Sequence, residues 1–300
     1  MKGRIVKGIA GFYYVYTSLG LLECRAKGIF RKDGIKPLVG DEVEVEALPG
    51  DDMEGNIIRI LPRKSMLIRP AAANIDQAII IFAIVRPDPN YNLLDRFLIR
   101  MRKQDIPTVI CFNKTDLSGE DEMKALLDAY ENCGHRVLFL SGEKGEGLGT
   151  LKEALKGHTS VVAGPSGVGK STIINALYPE ANMETGSLSR KIDRGKHTTR
   201  HAELFALSQD TFIMDTPGFT SLSLEDTDKD ELKDYYPEFE KYEPECRFAL
   251  CSHISEPVCG VRRAVKKGLI SPIRYENYTR LYADLKDIRR YDQKGKNRTQ

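Results

Sequence analysis

The sequence predicts a multidomain α/β chain in three parts: a small closed β-barrel, a mostly parallel sheet flanked by helices, and a mainly helical C-terminal module. Three observations predict it. Residues 1–68 read as short strands broken by glycines, residues 69–220 alternate apolar strand-like runs with helical stretches, and residues 221–300 carry four prolines around a cysteine cluster. A chain of 300 residues also favours more than one core, since a domain commonly takes about 100–200.

In the first part the candidate strands are 5–17, 21–30, 41–47 and 56–61. Asp41-Glu42-Val43-Glu44-Val45-Glu46 alternates polar and apolar residues with a period of two, so one face is buried and the other wet. A barrel of about five strands fits an OB-fold, and an SH3-like barrel fits the pattern nearly as well. OB-folds often bind oligonucleotides. Tyr13, Tyr14 and Tyr16, beside Arg25, Lys27, Arg31 and Lys32, could supply base stacking and phosphate contacts, or could be half-buried barrel residues.

The second part places strands at 77–85, 107–112, 136–140 and 159–163, with helices near 92–104, 120–132, 147–156 and 170–177. Alternation of this kind is the mark of a mostly parallel sheet. Two further strands, 202–207 and 211–215, are spaced to form a hairpin. From Ser221 the chain reads as helical and irregular, ending in a frayed polar stretch after Gln293.

Composition narrows the class. Hydrophobic residues make up 41% of the chain, enough to build real cores and too many for a disordered protein. The longest apolar run, 78–85, is eight residues against the roughly 20 of a membrane span, and the start lacks a secretory apolar region, so a chain without membrane partner is expected. Six cysteines, three scattered and three clustered, are not a secreted disulfide framework, which implies a reducing cytoplasm. The net charge of +2 conceals an asymmetry: residues 225–245 carry −7 and residues 246–300 carry +8. That basic segment suits an anionic partner such as nucleic acid, or is a solvated helical tail.

Gly164-Pro165-Ser166-Gly167-Val168-Gly169-Lys170-Ser171, followed by Thr172, links an apolar strand to a helical stretch. In that context it is a phosphate-binding loop. Its glycines let backbone N–H groups converge on phosphates, Lys170 supplies a cation and Ser171 an oxygen for Mg²⁺. Asp215-Thr216-Pro217-Gly218 ends a strand, where Asp215 can hold the Mg²⁺ shell and the Gly218 N–H can meet a γ-phosphate. Base selection falls to Asn113-Lys114-Thr115-Asp116. A carboxylate accepts from both N1–H and the exocyclic amine of guanine, whereas adenine would leave it unpaired. Ser141-Gly142 could add a backbone N–H near the guanine carbonyl.

Cys246, Cys251, His253 and Cys259 fall within fourteen residues. Three thiolates and an imidazole fill a tetrahedral Zn²⁺ shell with no open position, the pattern of a structural metal; the alternative is buried free cysteines. Beyond them lie Arg262, Arg263, Lys266, Lys267, Arg274, Arg280, Lys286, Arg289 and Arg290, the better RNA candidates. Tyr275, Tyr278 and Tyr282 would share a helix face packed on the metal module.

The nucleotide loops look like those of Ras-type GTPases but run in a different order: base loop, Ser141-Gly142, phosphate loop, then Asp215 to Gly218. Sites at the carboxyl ends of parallel strands survive such a circular permutation. With a barrel before this domain and a cysteine cluster after it, the chain resembles the RsgA family of circularly permuted GTPases over nearly its whole length. The resemblance implies an OB-type barrel (1–68), a circularly permuted P-loop GTPase domain (69–220) and a zinc-binding helical domain with a basic tail (221–300). It implies GTP hydrolysis with Mg²⁺, one structural Zn²⁺, and work on the small ribosomal subunit and its rRNA late in subunit maturation, by a cytoplasmic monomer.

Where Ras-like enzymes place a water-orienting glutamine this chain has Phe219, which cannot hold a water. Either a partner supplies the missing group or another residue does. The candidate is His197, in a segment that looks like the family's switch, where Thr198 or Thr199 should reach Mg²⁺. Gly218 stands only 28 residues before Cys246, so loss of the γ-phosphate could move the last domain directly. Two rival readings are a nucleotide-gated RNA-binding module with incidental hydrolysis, and a P-loop kinase, against which Asn113 and Asp116 argue.

Overall fold

The computed structural model describes residues 1–28, 30, 34–48, 53–67, 71–179, 203–215, 224 and 226–296, with side chains up to 287 and without that of Asp215. His197, Thr198, Thr199, Gly218, Phe219, Arg31 and Lys32, and the side chains of Arg289 and Arg290, lie outside the described residues.

The barrel is built from β1 (Lys2–Ile9), β2 (Phe12–Thr17), β3 (Gly20–Ala26), β4 (Glu42–Ala47) and β5 (Glu54–Ile60). They run β1-β2-β3-β5-β4, with β3 and β5 parallel and β4 closing back on β1 through Gly3↔Val43. That closure is the OB arrangement and not the SH3-like one. Alternate residues point inward as the pattern predicts: Val43 and Val45 join Ile5, Val15, Leu22, Cys24 and Ile57 in one core. The single strand expected over 5–17 is instead a hairpin. Ala10 and Gly11 take positive φ (50° and 90°), the two-residue turn whose twist suits a hairpin.

Of the barrel tyrosines, Tyr14 donates its hydroxyl to Glu23 at 2.9 Å and Tyr16 packs edge-on against Phe212 at 5.9 Å. Arg25 sits over the Phe12 ring and Lys27 pairs with Glu46. Tyr13, Tyr14 and Tyr16 are half-buried, as that alternative reading had it, whereas Arg25 and Lys27 are exposed.

A small hairpin of β6 (Met66–Leu67) and β7 (Ala72–Ala73) precedes the central sheet. There β8 (Gln77–Ala83), β9 (Thr108–Asn113), β10 (Arg136–Leu140), β11 (Thr159–Ala163), β12 (Glu203–Ala206) and β13 (Phe212–Asp215) are ordered β10-β9-β8-β11-β13-β12. All pairings are parallel except the β12–β13 hairpin. Every residue of β8, β9 and β11 is buried, because helices cover both faces. One face carries Ile80, Phe82 and Phe112 against α1 (Tyr91–Arg102) and α2 (Glu120–Tyr130). The other carries Ile79, Ile81 and Cys111 against α3 (Leu148–Leu155) and α4 (Lys170–Leu177).

The barrel and the central sheet are joined edge to edge, β1 pairing with β12 at Lys7↔Glu203. Lys7 also salt-bridges Glu203 at 2.9 Å, and Arg4 reaches Glu42 and Thr159 with its guanidinium over Phe212.

The last part has α5 (Pro237–Glu240), α6 (Gly260–Lys266), α7 (Pro272–Lys296) and two 3₁₀ turns. Tyr236, Phe239, Tyr278, Leu281 and Leu285 form its core together with Ile99 of α1. Tyr275 and Tyr278 donate to the carbonyls of His253 and Ser252, so the tyrosine face packs on the cysteine module as expected. Arg274 corrects the sequence reading. It is not a surface base but is 2% exposed, bonded to Asp95 of α1 at 2.5 Å and to Glu238 at 2.7 Å, and stacked on Tyr236. Among the described residues no helix is long and apolar enough to cross a membrane.

Candidate functional site

The loops singled out in the sequence meet at the carboxyl ends of neighbouring parallel strands. Strand β11 runs into Gly164 and β9 ends at Asn113. Strand β10 is followed by Ser141 and Gly142. Strand β13 ends at Asp215, paired in register with Val162 of β11.

The phosphate loop needs its glycines for two measurable reasons. Gly164 and Gly169 take φ of 146° and 95°, and a Cβ on Gly164 would stand 2.0 Å from the Ile81 carbonyl oxygen. A Cβ on Gly169 would stand 2.3 Å from Asn113 Nδ2. Val168 anchors the loop in the core, whereas Ser166 and Gly167 are exposed. Lys170 crosses the loop, donating to the carbonyls of Gly164 at 2.9 Å and Pro165 at 2.7 Å. Ser171 and Thr172 follow it in the first turn of α4, half-buried.

Asn113 ties three loops together. Its Nδ2 donates to the Val168 carbonyl at 2.8 Å, and its Oδ1 accepts from the Gly142 N–H at 3.0 Å. Lys114, left-handed at φ 70°, extends over the phosphate loop and donates to the carbonyls of Gly167 (2.8 Å) and Arg86. Burial lowers its pKa, opposed by Asp116. Thr115 opens a 3₁₀ turn that carries Asp116. The carboxylate of Asp116 accepts from Ser141 Oγ at 2.6 Å, and Ser141 is fully buried. The sequence reading gave Ser141 and Gly142 only a backbone role. The hydroxyl that orients Asp116 was missed, because a buried serine carries no signal in a single sequence.

The second site is the cluster Cys246, Cys251, His253 and Cys259, whose ligand atoms all lie within 4.8 Å of one another. A tetrahedral Zn²⁺ with Zn–S bonds of about 2.3 Å needs ligand atoms about 3.8 Å apart. Cys246 and Cys259 sulfurs are 3.9 Å apart, and His253 Nδ1 is 3.6 Å and 3.4 Å from them. Burial pushes the Cys251 thiol up to about 12, so three neighbouring thiolates here need a cation among them. The donor set fits zinc. His253 Nε2 faces Glu243 at 3.1 Å, which orients Nδ1 toward the sulfurs. The sequence reading did not find Glu243, one acid among ten in its stretch. Backbone N–H groups of Gly260 and Arg262 point at two of the sulfurs.

Among the predicted bases, Arg262 donates to the Glu256 carbonyl, Arg263 pairs with Glu245 and Arg280 with Glu276, while Lys266, Lys267 and Lys286 are exposed.

A permuted loop order around one parallel sheet, a barrel on its edge and a Cys₃His module on its flank define a circularly permuted P-loop GTPase of three parts. The RsgA GTPase family model matches residues 60–225, and that of the RsgA N-terminal domain matches residues 2–57. A protein from Agathobacter rectalis named small ribosomal subunit biogenesis GTPase RsgA is 54% identical over 302 residues, covering 97% of this chain and all of the relative. The crystal structure of YjeQ from Thermotoga maritima superposes with a TM-score of 0.76 at 34% identity, covering 95% of this chain and 98% of that one. The crystal structure of YloQ, described as a circularly permuted GTPase, gives 0.75 at 36% identity, with 95% of each chain covered. The chain belongs to the RsgA family of GTPases and is a GTP hydrolase.

Proposed function

We propose that this GTPase acts in biogenesis of the small ribosomal subunit, hydrolysing GTP to GDP and phosphate when the subunit is bound, late in its maturation. The observation that carries the reading is the hydrogen-bonded junction at Asn113, which holds the base loop, the Ser141-Gly142 turn and the phosphate loop as one surface. The relatives' names supply the subunit. In this reading Asp116, oriented by Ser141, accepts from guanine N1–H and its exocyclic amine, while the Gly142 N–H, expected near the guanine carbonyl, instead donates to Asn113. Residues 164–169 cradle the phosphates through backbone N–H groups, and Lys170 leaves its loop carbonyls for the β- and γ-phosphate oxygens.

Mg²⁺, which neutralises charge on the phosphates, would be held by Ser171, Asp215 and one of Thr198 and Thr199. Gly218 donates its N–H to the γ-phosphate, and His197 orients the attacking water in place of the glutamine that Phe219 replaces. Water bonds to the γ-phosphorus as the bond to the β–γ bridging oxygen breaks. Residues 1–68 and the exposed bases Lys266, Lys267 and Lys286 contact rRNA on either side of the nucleotide, and residues 221–300 are folded around zinc. None of the six cysteines is in a disulfide, which suits a reducing cytoplasm.

GTP turnover is measured with the protein alone, with small subunits and with large subunits. Stimulation by small subunits alone is expected. His197→Ala should lose most of that stimulation while keeping GTP affinity within about twofold. No stimulation by either subunit would favour the nucleotide-gated RNA-binding module.

A further inference from the structure

Strand β8 runs out beside the base loop, where the Ile84 N–H donates to the Asn113 carbonyl at 2.9 Å. Asn90 then starts α1, its Oδ1 accepting from the Leu93 N–H at 3.0 Å. The stretch fixed between them, Val85-Arg86-Pro87-Asp88-Pro89, carries no motif. It nevertheless lies against the phosphate loop, Pro87 Cδ standing 3.9 Å from where a Cβ on Gly167 would be. Arg86 is left-handed at φ 50°, a conformation that costs a residue with a side chain energy and persists where its surroundings over-determine it. In that conformation its carbonyl meets Lys114 Nζ, which donates to it and, at 2.8 Å, to the Gly167 carbonyl. One half-buried lysine therefore joins the end of β8, the base loop and the phosphate loop.

We propose that Arg86 is a positioning residue for the guanine nucleotide: its main-chain carbonyl holds the Lys114 ammonium as a strut that sets the spacing between the base loop and the phosphate loop. The inference rests on the reading of Asn113 to Asp116 and residues 164–171 as the two halves of one nucleotide site. A guanine nucleotide spans both halves, so a site whose halves are already spaced loses no binding energy in bringing them together. Bonds from an ammonium to a carbonyl are charge-assisted and stronger than neutral ones, and a main-chain acceptor cannot rotate away as a side chain can. What acts is the carbonyl and not the guanidinium, because it is the left-handed backbone of Arg86 that brings an acceptor to Lys114. The strut meets no γ-phosphate, so GTP and GDP depend on it alike.

Affinities and release rates of GDP and of a non-hydrolysable GTP analogue are measured on the full-length protein. Arg86→Val, whose branched side chain resists positive φ, should bind both nucleotides about tenfold more weakly, chiefly through faster release. Arg86→Gly and Arg86→Asn discard the guanidinium but tolerate the left-handed conformation, and should restore both affinities to within about twofold of the parent. In a Lys114→Met background Arg86→Val should cost nothing further, because the strut is already gone. Equal weakening by Val, Gly and Asn would assign the effect to the guanidinium and overturn the proposal. So would parent-like binding by Arg86→Val, or a full loss from it in the Lys114→Met background, which would mark general packing of the loop. Asp116→Asn serves as the control for the site itself: if it leaves base preference unmoved, the reading of the base loop fails and the proposal with it.

Discussion

Asp116 shows how much one residue can decide. Its carboxylate is aimed by the buried hydroxyl of Ser141 at 2.6 Å, so it presents an acceptor in a fixed direction. An amide at the same place would still accept, but it would also present N–H groups that clash with the guanine amine and suit a 2-oxo group. Asp116→Asn should therefore lower GTP affinity by roughly 10²-fold and transfer preference to xanthosine triphosphate, which competition binding with the two nucleotides measures. Asn113 to Asp116 stood out in the sequence because four adjacent residue types match what guanine chemistry asks for. Ser141 Oγ was not, because its partner is 25 residues away and only the sheet brings them together.

Elements were legible where their periodicity was strong. The helix expected over 170–177 is α4 residue for residue, and the spacing of 202–207 and 211–215 produced the hairpin β12–β13. Over 5–17 the pattern failed, because Ala10 is no turn residue and only Gly11 marks the reversal. At the junction between α2 and β10 stands His135, which no motif marked. Burial, then the charges of Arg274 and Arg102, depress its pKa from 6.5 to about 4. A histidine held neutral in the fold and protonated more easily when unfolded gives stability that is fully present above pH 6.5 and is lost as pH falls toward 4. Urea unfolding at pH 7 and pH 5 should differ by about 1–2 kcal/mol more in the parent than in His135→Gln.

At the scale of the whole molecule, the sheet and one buried ion pair make the three parts a single body. Eleven strands form one sheet across the barrel and the GTPase domain. Arg274 of α7 joins the Cys₃His module to α1 and α2, bonded to Asp95 and stacked on Tyr130 and Tyr236. Swinging the Cys₃His module away from α1 would expose this charge cluster and the core around Ile99. Removing one partner of a buried pair typically costs about 3–5 kcal/mol. Arg274→Met should lower the unfolding free energy by that order and, in calorimetry, split one transition into two.

The sequence by itself determined the class of protein, because the permuted order of its loops, the barrel before them and the Cys₃His group after them set the chain among circularly permuted GTPases. Such motifs are legible because the residues of each sit close together in sequence. The tertiary structure decided what those residues lean on. Asp95 carries no motif and Arg274 reads as one base of a tail, yet 179 residues apart they form one buried pair. A charge can be buried only where its partner arrives from another element, and which element arrives is settled by packing, not by local pattern.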